Sequence, residues 1–220
     1  MRVGVRYGIS LIGLLWLASC LLVPVLAHAQ AIETTDDFGR ALRLAAAPTR
    51  VVSLAPELTE WVFALKAETR LVGASDDCDY PAAARALRKV GPYFKPNLER
   101  ILAARPELVL ASGRGTPPEL VAALRARGIA CYVFFPHTPA ELLGGLVRLG
   151  TALGRAQEAR ALSETMRREL DALAQDKTRD AVSAALVINA EPLYVVGPGT
   201  LSSALLADLG GKNEIGRAHV

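Results

Sequence analysis

The fold is decided by RVVSLAPELTEWVFAL at residues 50–65. The stretch opens with a short run of β-branched and apolar residues, which is typical of a buried strand, and Pro56 ends that run. The apolar residues then recur at i, i+3, i+4 and i+7, on one face of a helix: Leu58, Trp61, Val62 and Leu65. A buried strand that leads straight into an amphipathic helix predicts a β-α-β unit and therefore a parallel sheet.

The same alternation continues along the chain. Further strands are predicted at 71–75, 107–112 and 129–135. Asn97 can cap a helix that ends at Pro106, and a helix that opens at Thr116 or a neighbouring residue is stopped by Gly128. Because helices separate the strands, right-handed crossovers are expected, with a mainly parallel sheet that is covered on both faces.

After residue 138, two helices follow each other. The first is predicted at 139–153, Gly154 interrupts the pattern, and the second runs over 155–176. At a rise of about 1.5 Å per residue the second helix would span roughly 33 Å, and its apolar stripe is narrow. A long helix with so little surface to bury is suited to a rigid bridge between two lobes.

Beyond this helix a second lobe is predicted to begin. A strand is expected at 185–189, and Gly197–Thr200 forms a turn into a helix at 201–209. The fold class is therefore α/β: two three-layer lobes with mainly parallel sheets, bridged by one long helix, with the second lobe truncated. The predicted parts are the first lobe at 30–154, the bridge at 155–176 and the opening of the second lobe at 181–213.

Both chain ends carry separate signals. The apolar run Ile9–Leu26 and the small-x-small site Ala27–Ala29 predict a signal peptide at 1–29 and a periplasmic protein. A retained membrane helix is one alternative, and lipidation at Cys20 is another, although the apolar residues after Cys20 argue against a lipid tether. Residues 214–220 resemble a translated sequencing adapter and are interpreted as a non-native tail, the alternative being a genuine polar tail.

Composition argues against several classes of function. The formal net charge is +3, and Arg2 and Arg6 of the predicted leader contribute to it, so nucleic acid is not expected as a partner. Cys78 falls beyond the end of one predicted strand and Cys131 near the start of another, which is too far apart for a disulfide. Neither cysteine shows the spacing of a metal site, and no metal is expected.

Polar and aromatic residues gather where the predicted strands end. Open parallel sheets bind ligands outside the carboxyl ends of their strands. This rule, with the aromatic loop before the Asn97 helix, predicts a ligand cleft formed by Pro56, Glu57, Asp77, Tyr93, Phe94, Arg114 and His137. Aromatic faces with a few hydrogen-bonding groups suit a broad, largely apolar ligand such as a corrinoid. Trp61 is interpreted as a core residue, and Tyr80, which also follows a predicted strand, as a packing residue with a place in the cleft as the alternative.

Three segments carry a family resemblance: Ser53–Glu60, Asp79–Pro81 and Asn97–Arg100. In order and spacing they resemble the helical-backbone periplasmic binding proteins that feed ABC importers, above all the cobalamin and ferric-siderophore binders. The resemblance covers about 50–213. It implies a monomer without a cofactor of its own, which takes a metal chelate between two lobes and delivers it to a permease in the inner membrane.

The resemblance also implies roles for single residues. Tyr93 falls where cobalamin binders place an aromatic residue against the corrin, the alternative being a loop anchor over the lobe. Asp77 departs from the pattern, because such relatives can carry another aromatic residue there. Glu99 falls where family members present a glutamate to arginines of the permease; as the second residue of a helix it could equally interact with the helix dipole.

Three ligands stay open, with cobalamin first, a ferric siderophore second and haem third. Haem would take His137 or Tyr93 as its iron ligand, whereas a siderophore would call for the positive charge of Arg114 and Lys95. A surface role is the alternative for Arg114 and His137. For Phe94, a position in the cleft and a position in the core are both open. A chelatase or metallocluster enzyme of related fold would need converging cysteines and histidines, so catalysis is not predicted.

Overall fold

A computed structural model describes residues 31–175 and 182–216. The predicted signal peptide at 1–29, which includes Cys20, lies outside the described residues, as does the tail from residue 217 onwards. None of the helices within the described ranges combines the length and the apolar composition of a membrane span.

Strands and helices alternate in the first part of the chain. Two short strands, β1 (Ile32–Thr35) and β2 (Ala41–Leu44), pair antiparallel. The elements that follow are β3 (Val51–Ser53), α1 (Pro56–Ala64), β4 (Leu71–Ala74), α2 (Leu98–Ala103), β5 (Leu108–Ser112), α3 (Pro118–Arg125) and β6 (Ala130–Phe134). The last four strands form one parallel sheet in the order β4-β3-β5-β6. The predicted alternation and the parallel sheet are confirmed.

Two long helices follow, α4 (Pro139–Ala152) and α5 (Ala156–Gln175). Gly154 separates them with a φ of +64°, a left-handed conformation that glycine adopts without strain. Within α5 only Ala159 is buried, while Leu162 and Met166 pack partly buried against the core of the sheet. The long helix predicted from the charged sequence is therefore present, and its second half is largely exposed.

The side chains of the sheet alternate between two apolar cores. Val51, Leu108 and Leu110 belong to the core that α1 and α4 cover, whereas Val52 and Val109 belong to the core that α2 and α3 cover. All five are fully buried. This alternation places helices on both faces of the sheet, as the sequence predicts, and leaves the strand ends as the open edge.

The β1–β2 hairpin is not part of the sequence-based prediction. Its strands have four residues each, and Leu42 is the buried residue among them, so no apolar period reveals them. Two carboxylates at the turn hold the hairpin instead. Asp36 pairs with Arg125 and Asp37 pairs with Arg148, both at 2.8 Å, and both carboxylates are almost fully buried.

Residues 182–216 form short elements: β7 (Ser183–Ala184), β8 (Val187–Asn189), β9 (Tyr194–Val195), α6 (Leu201–Asp208) and β10 (Lys212–Asn213). The single strand predicted at 185–189 is wrong in extent, because β7 pairs parallel with β10 whereas β8 pairs antiparallel with β9. The predicted turn into α6 is confirmed, since Thr200 accepts the Ser203 N–H at the start of that helix.

Candidate functional site

A pocket opens where the carboxyl ends of the parallel strands meet. It has a volume of about 340 Å³ and is lined by Pro56, Glu57, Asp77, Pro92, Tyr93, Phe94 and Lys95. We call it the strand-end pocket. The start of α1, the loop after β4 and the loop before α2 supply its walls. It brings together five of the seven residues predicted to bind ligand, the other two being Arg114 and His137.

Tyr93 is held in this pocket from several sides. Its backbone N–H donates to Asp77 Oδ2 at 2.7 Å, and its hydroxyl donates to Ser112 Oγ at 3.0 Å. Its ring lies directly against Gly115 and edge-to-face with Phe94, 4.7 Å between centroids. Burial raises the pKa of the Tyr93 hydroxyl, so the group is a neutral phenol at physiological pH.

The two loops that carry Asp77 and Tyr93 are joined by further bonds. The Gly91 N–H donates to Asp76 Oδ1 at 3.0 Å, and Lys89 Nζ donates to the Cys78 carbonyl at 2.7 Å. Gly91 has a φ of +108°, which favours glycine. These contacts fix the loop backbones, so the pocket walls are largely formed before any ligand arrives.

Arg114 and His137 meet around Phe135, at the ends of β5 and β6. The guanidinium of Arg114 lies 5.1 Å from the centroid of the Phe135 ring and donates to the Pro136 carbonyl. The His137 ring packs edge-to-face on Phe135 at 4.4 Å, and its Nδ1 lies 3.0 Å from the Gly199 carbonyl oxygen. This group adjoins the strand-end pocket through Gly115, which follows Arg114 and touches Tyr93.

A second pocket shares Glu57 with the strand-end pocket. It has a volume of about 420 Å³ and is lined by Glu57, Glu60, Trp61, Phe63, Ala64, Tyr80 and Pro81. The prediction that Tyr80 is a packing residue is wrong, because its side chain is 67% exposed at the loop surface. Trp61 is half-buried against the core and also faces this pocket.

Glu99 lies apart from both pockets, as the second residue of α2. Asn97 caps that helix as predicted, since its side chain accepts the Arg100 N–H at 2.9 Å. The Glu99 side chain is exposed, which is compatible with a contact to another protein and with the helix dipole alike. Its docking role remains a prediction.

Cys78 and Cys131, the cysteines within the described residues, are buried free thiols. Cys131 lies in β6 and Cys78 in the loop after β4, as the predicted strands require. Burial raises the pKa of Cys131 to about 11 and also raises the pKa of Cys78, so both thiols stay protonated and unreactive at neutral pH. Within residues 31–175 and 182–216, no group of three or more histidine, cysteine or acidic side chains is arranged to hold a metal ion.

Sequence reasoning missed Ser112, which contacts Tyr93 from the end of β5, and placed Gly115 only within the strand-end loop 113–115, without a role of its own. The signal that points to them is their position, because Ser112 ends the predicted strand and Gly115 follows it in the same loop as Arg114. Small residues at a strand end allow close approach of another side chain, and that neighbour is visible only in the tertiary structure.

Residues 51–218 match the family model described as Periplasmic binding protein. This chain belongs to that family. The vitamin B12-binding protein of Photorhabdus laumondii is 34% identical over 171 residues, which cover 77% of this chain and 62% of the relative. The vitamin B12-binding protein of Yersinia pestis strain Pestoides F is 31% identical over 170 residues, which cover 77% of this chain and 61% of the relative. The chain therefore spans about three-fifths of the length of these curated relatives.

Solved structures show the same architecture. The periplasmic vitamin B12 binding protein of Vibrio cholerae matches with a TM-score of 0.72 and 26% identity, over 79% of this chain and 69% of that protein. A periplasmic heme binding protein from Pseudomonas aeruginosa matches with a TM-score of 0.70 and 29% identity, over 77% of this chain and 64% of that protein. The fold is that of the two-lobe periplasmic binding proteins, of which this chain covers part, and the predicted fold class is confirmed.

Proposed function

We propose that this protein is the exported solute-binding component of an ABC importer, which captures a corrinoid in the periplasm and delivers it to the permease. Membership of the periplasmic binding family and the vitamin B12-binding relatives support this role. The protein would act as a monomer, with a bridge at 155–176 and a second lobe that begins within 181–213. It would release its ligand unchanged, so no catalytic residue and no cofactor is assigned.

The choice of ligand rests on how the ring and the hydroxyl of Tyr93 are placed. Its ring lines the strand-end pocket, while its hydroxyl donates to Ser112 Oγ at 3.0 Å. A haem iron takes an axial side-chain ligand from the protein, such as His or Tyr. The cobalt of cobalamin brings its own axial ligands, so a corrinoid needs apolar and aromatic surface instead. A pocket of Tyr93, Phe94, Pro56 and Pro92 offers that surface.

Haem binding is the second candidate, favoured by the heme binding neighbour from Pseudomonas aeruginosa at 29% identity. Tyr93 and His137 are then the candidate iron ligands. His137 Nδ1, however, lies within hydrogen-bond distance of the Gly199 carbonyl, and the Tyr93 hydroxyl is engaged by Ser112. A ferric siderophore, which Arg114 and Lys95 would attract, is the third.

Titration distinguishes these ligands. Cyanocobalamin, ferric protoporphyrin and a ferric siderophore are titrated against the intrinsic fluorescence of the protein that contains this sequence. We expect cyanocobalamin to bind most tightly and Tyr93→Ala to weaken it about tenfold or more, as for an aromatic residue at the centre of an interface. Tyr93→Phe, the matched control, keeps the ring and should cost no more than a few-fold. Tight cobalamin binding that survives Tyr93→Ala unchanged would remove Tyr93 from the site.

Permease docking is tested with Glu99. Charge reversal in Glu99→Lys should leave the affinity for cyanocobalamin within about twofold, because Glu99 lies outside both pockets. Stimulation of ATP hydrolysis by the reconstituted permease should fall strongly, since complementary charges orient encounter. Glu119→Lys, in the first turn of α3, is the matched control. Equal stimulation by the two variants would assign Glu99 to the helix dipole alone.

A further inference from the structure

We infer that Ser112 and Gly115 determine the class of chelate that this protein accepts, because they hold Tyr93 with its ring, and not its oxygen, available to the strand-end pocket. The inference rests on the proposed function and names two positioning residues for it. Neither residue lines the strand-end pocket itself. Both would act on the ligand through Tyr93.

Ser112 is a fixed acceptor for the phenol. It ends β5 and is 1% exposed, and its backbone N–H donates to Thr116 Oγ1 at 3.1 Å. Its Oγ accepts the Tyr93 hydroxyl at 3.0 Å. Loss of that oxygen would leave a half-buried phenol without its partner, and a buried polar group in that state is costly. We expect the Tyr93 hydroxyl then to turn towards the pocket, where water or a metal can meet it.

Gly115 provides the space for the ring. A Cβ built at this position would overlap the Cε1, Cζ and Cε2 atoms of Tyr93, closer than any van der Waals contact. The neighbouring atoms belong to the rigid ring, so a Cβ at this position would require the whole ring to shift. Gly115 does not have a left-handed φ, which means that space, and not backbone conformation, requires glycine here.

A third contact holds the backbone of Tyr93 while the other two hold its ring. Asp77 accepts the Tyr93 N–H at 2.7 Å, so the residue cannot follow its ring outwards without breaking that bond. Three contacts, from the end of β5 with its following loop and from the loop after β4, thus fix one aromatic side chain. The result is an aromatic surface for a chelate whose metal is already saturated, and no oxygen for a chelate that needs a protein ligand.

Affinity for cyanocobalamin tests the Gly115 contact. Gly115→Ala should weaken binding about tenfold in the parent and by less than about twofold in the Tyr93→Ala background, where there is no ring to displace. Gly144→Ala is the matched control, because a Cβ there meets only the flexible end of Arg148. An equal loss of affinity in the two backgrounds, or no loss in the parent, would overturn the inference. The proposed function of cobalamin binding would still stand in either case.

Ferric protoporphyrin tests the Ser112 contact and gives a readout that loss of stability cannot mimic. Ser112→Ala should gain the tyrosinate-to-iron charge-transfer absorption that the parent lacks, and Tyr93→Phe should abolish that gain. Ser163→Ala, in α5, is the matched serine control. The same absorption in the parent protein, or none in Ser112→Ala, would contradict the inference. A parent that binds none of the chelates would instead remove the proposed function, and this inference with it.

Discussion

Asp77 and Glu107 each join backbone segments that are distant in the chain. Asp77 accepts the N–H of Tyr93 from the next loop. Glu107 Oε2 accepts the N–H of Thr49 at 2.6 Å and the N–H of Arg50 at 3.3 Å, which ties the start of β5 to the start of β3. Both carboxylates accept backbone N–H groups that strand pairing does not satisfy. Neither role can be recognised from local sequence.

The Asp77 contact predicts a graded response. Asp77→Ala removes the acceptor of the Tyr93 N–H and should weaken cyanocobalamin binding by about fivefold, equivalent to about 1 kcal/mol for one hydrogen bond. Asp77→Asn keeps an amide oxygen that can accept the same bond and should cost less. Asp79→Ala is the control for loss of a nearby exposed carboxylate. If Asn is as damaging as Ala, the charge matters more than the bond.

The Glu107 contact predicts a pH dependence of stability. The Thr49 N–H, which donates to the carboxylate, lowers the pKa of Glu107 below its usual 4.5. The folded state therefore gains stability from Glu107 above pH 4.5 and loses it as the pH falls through the lowered value. Glu107→Gln should have a lower melting temperature than the parent above about pH 5, and the difference should shrink as the pH falls through the lowered pKa of Glu107. A difference that does not change with pH would exclude this origin.

At the level of elements, the junction of α4 and α5 depends on small residues. Gly150 lies against Ala159, the buried residue of α5, and a Cβ at Gly150 would overlap the Ala159 methyl group. The chain then turns at Gly154. This close approach is what attaches the first turns of the long helix to the lobe, since most of its other side chains are exposed.

Two glycine substitutions on the same helix should have opposite effects. Gly150→Ala forces α4 and α5 apart and should lower the free energy of unfolding by about 1–3 kcal/mol, the usual cost of overpacking. Gly144→Ala meets only the flexible Arg148 and should raise it by up to about 1 kcal/mol, because alanine favours the helix. Urea denaturation of both variants measures the difference. A stabilising Gly150→Ala would mean that the helices pack less closely than described.

Elements with their own periodicity could be predicted, and elements held by distant contacts could not. The strand and helix of residues 50–65 follow from the spacing of their apolar residues, and α2 and α6 follow from Asn97 and Thr200 at their amino ends. The β1–β2 hairpin has no such pattern. It depends on Asp37, whose partner Arg148 lies 111 residues further along the chain.

Over the whole molecule, burial differs between the two described ranges. Residues 31–175 contain nearly all of the buried apolar residues, whereas in 182–216 Val196 is the buried one. Several large apolar side chains of that second range are exposed, including Val187, Ile188 and Leu193 at 57%, 74% and 67%. Its strands are two or three residues long. Short strands with little burial contribute little to cooperative stability.

Hydrogen exchange should reveal this difference. Amides of 182–216 are expected to exchange within seconds to minutes in this chain, while those of β3 and β5 should need global unfolding. Exchange measured by mass spectrometry on the 220-residue chain resolves both regions. Amides of α4 serve as the internal control for a helix packed on the core. Equal protection of the two ranges would show that 182–216 folds as one unit with the first lobe.

The sequence by itself determined the strand–helix order, the long charged helix and five residues of one pocket, because apolar period, helix caps and strand ends are local properties. Tertiary structure alone decided that Ser112 and Gly115 meet Tyr93, and that Tyr80 is exposed. Those outcomes depend on which loops the sheet order β4-β3-β5-β6 brings side by side, and no local pattern encodes that order.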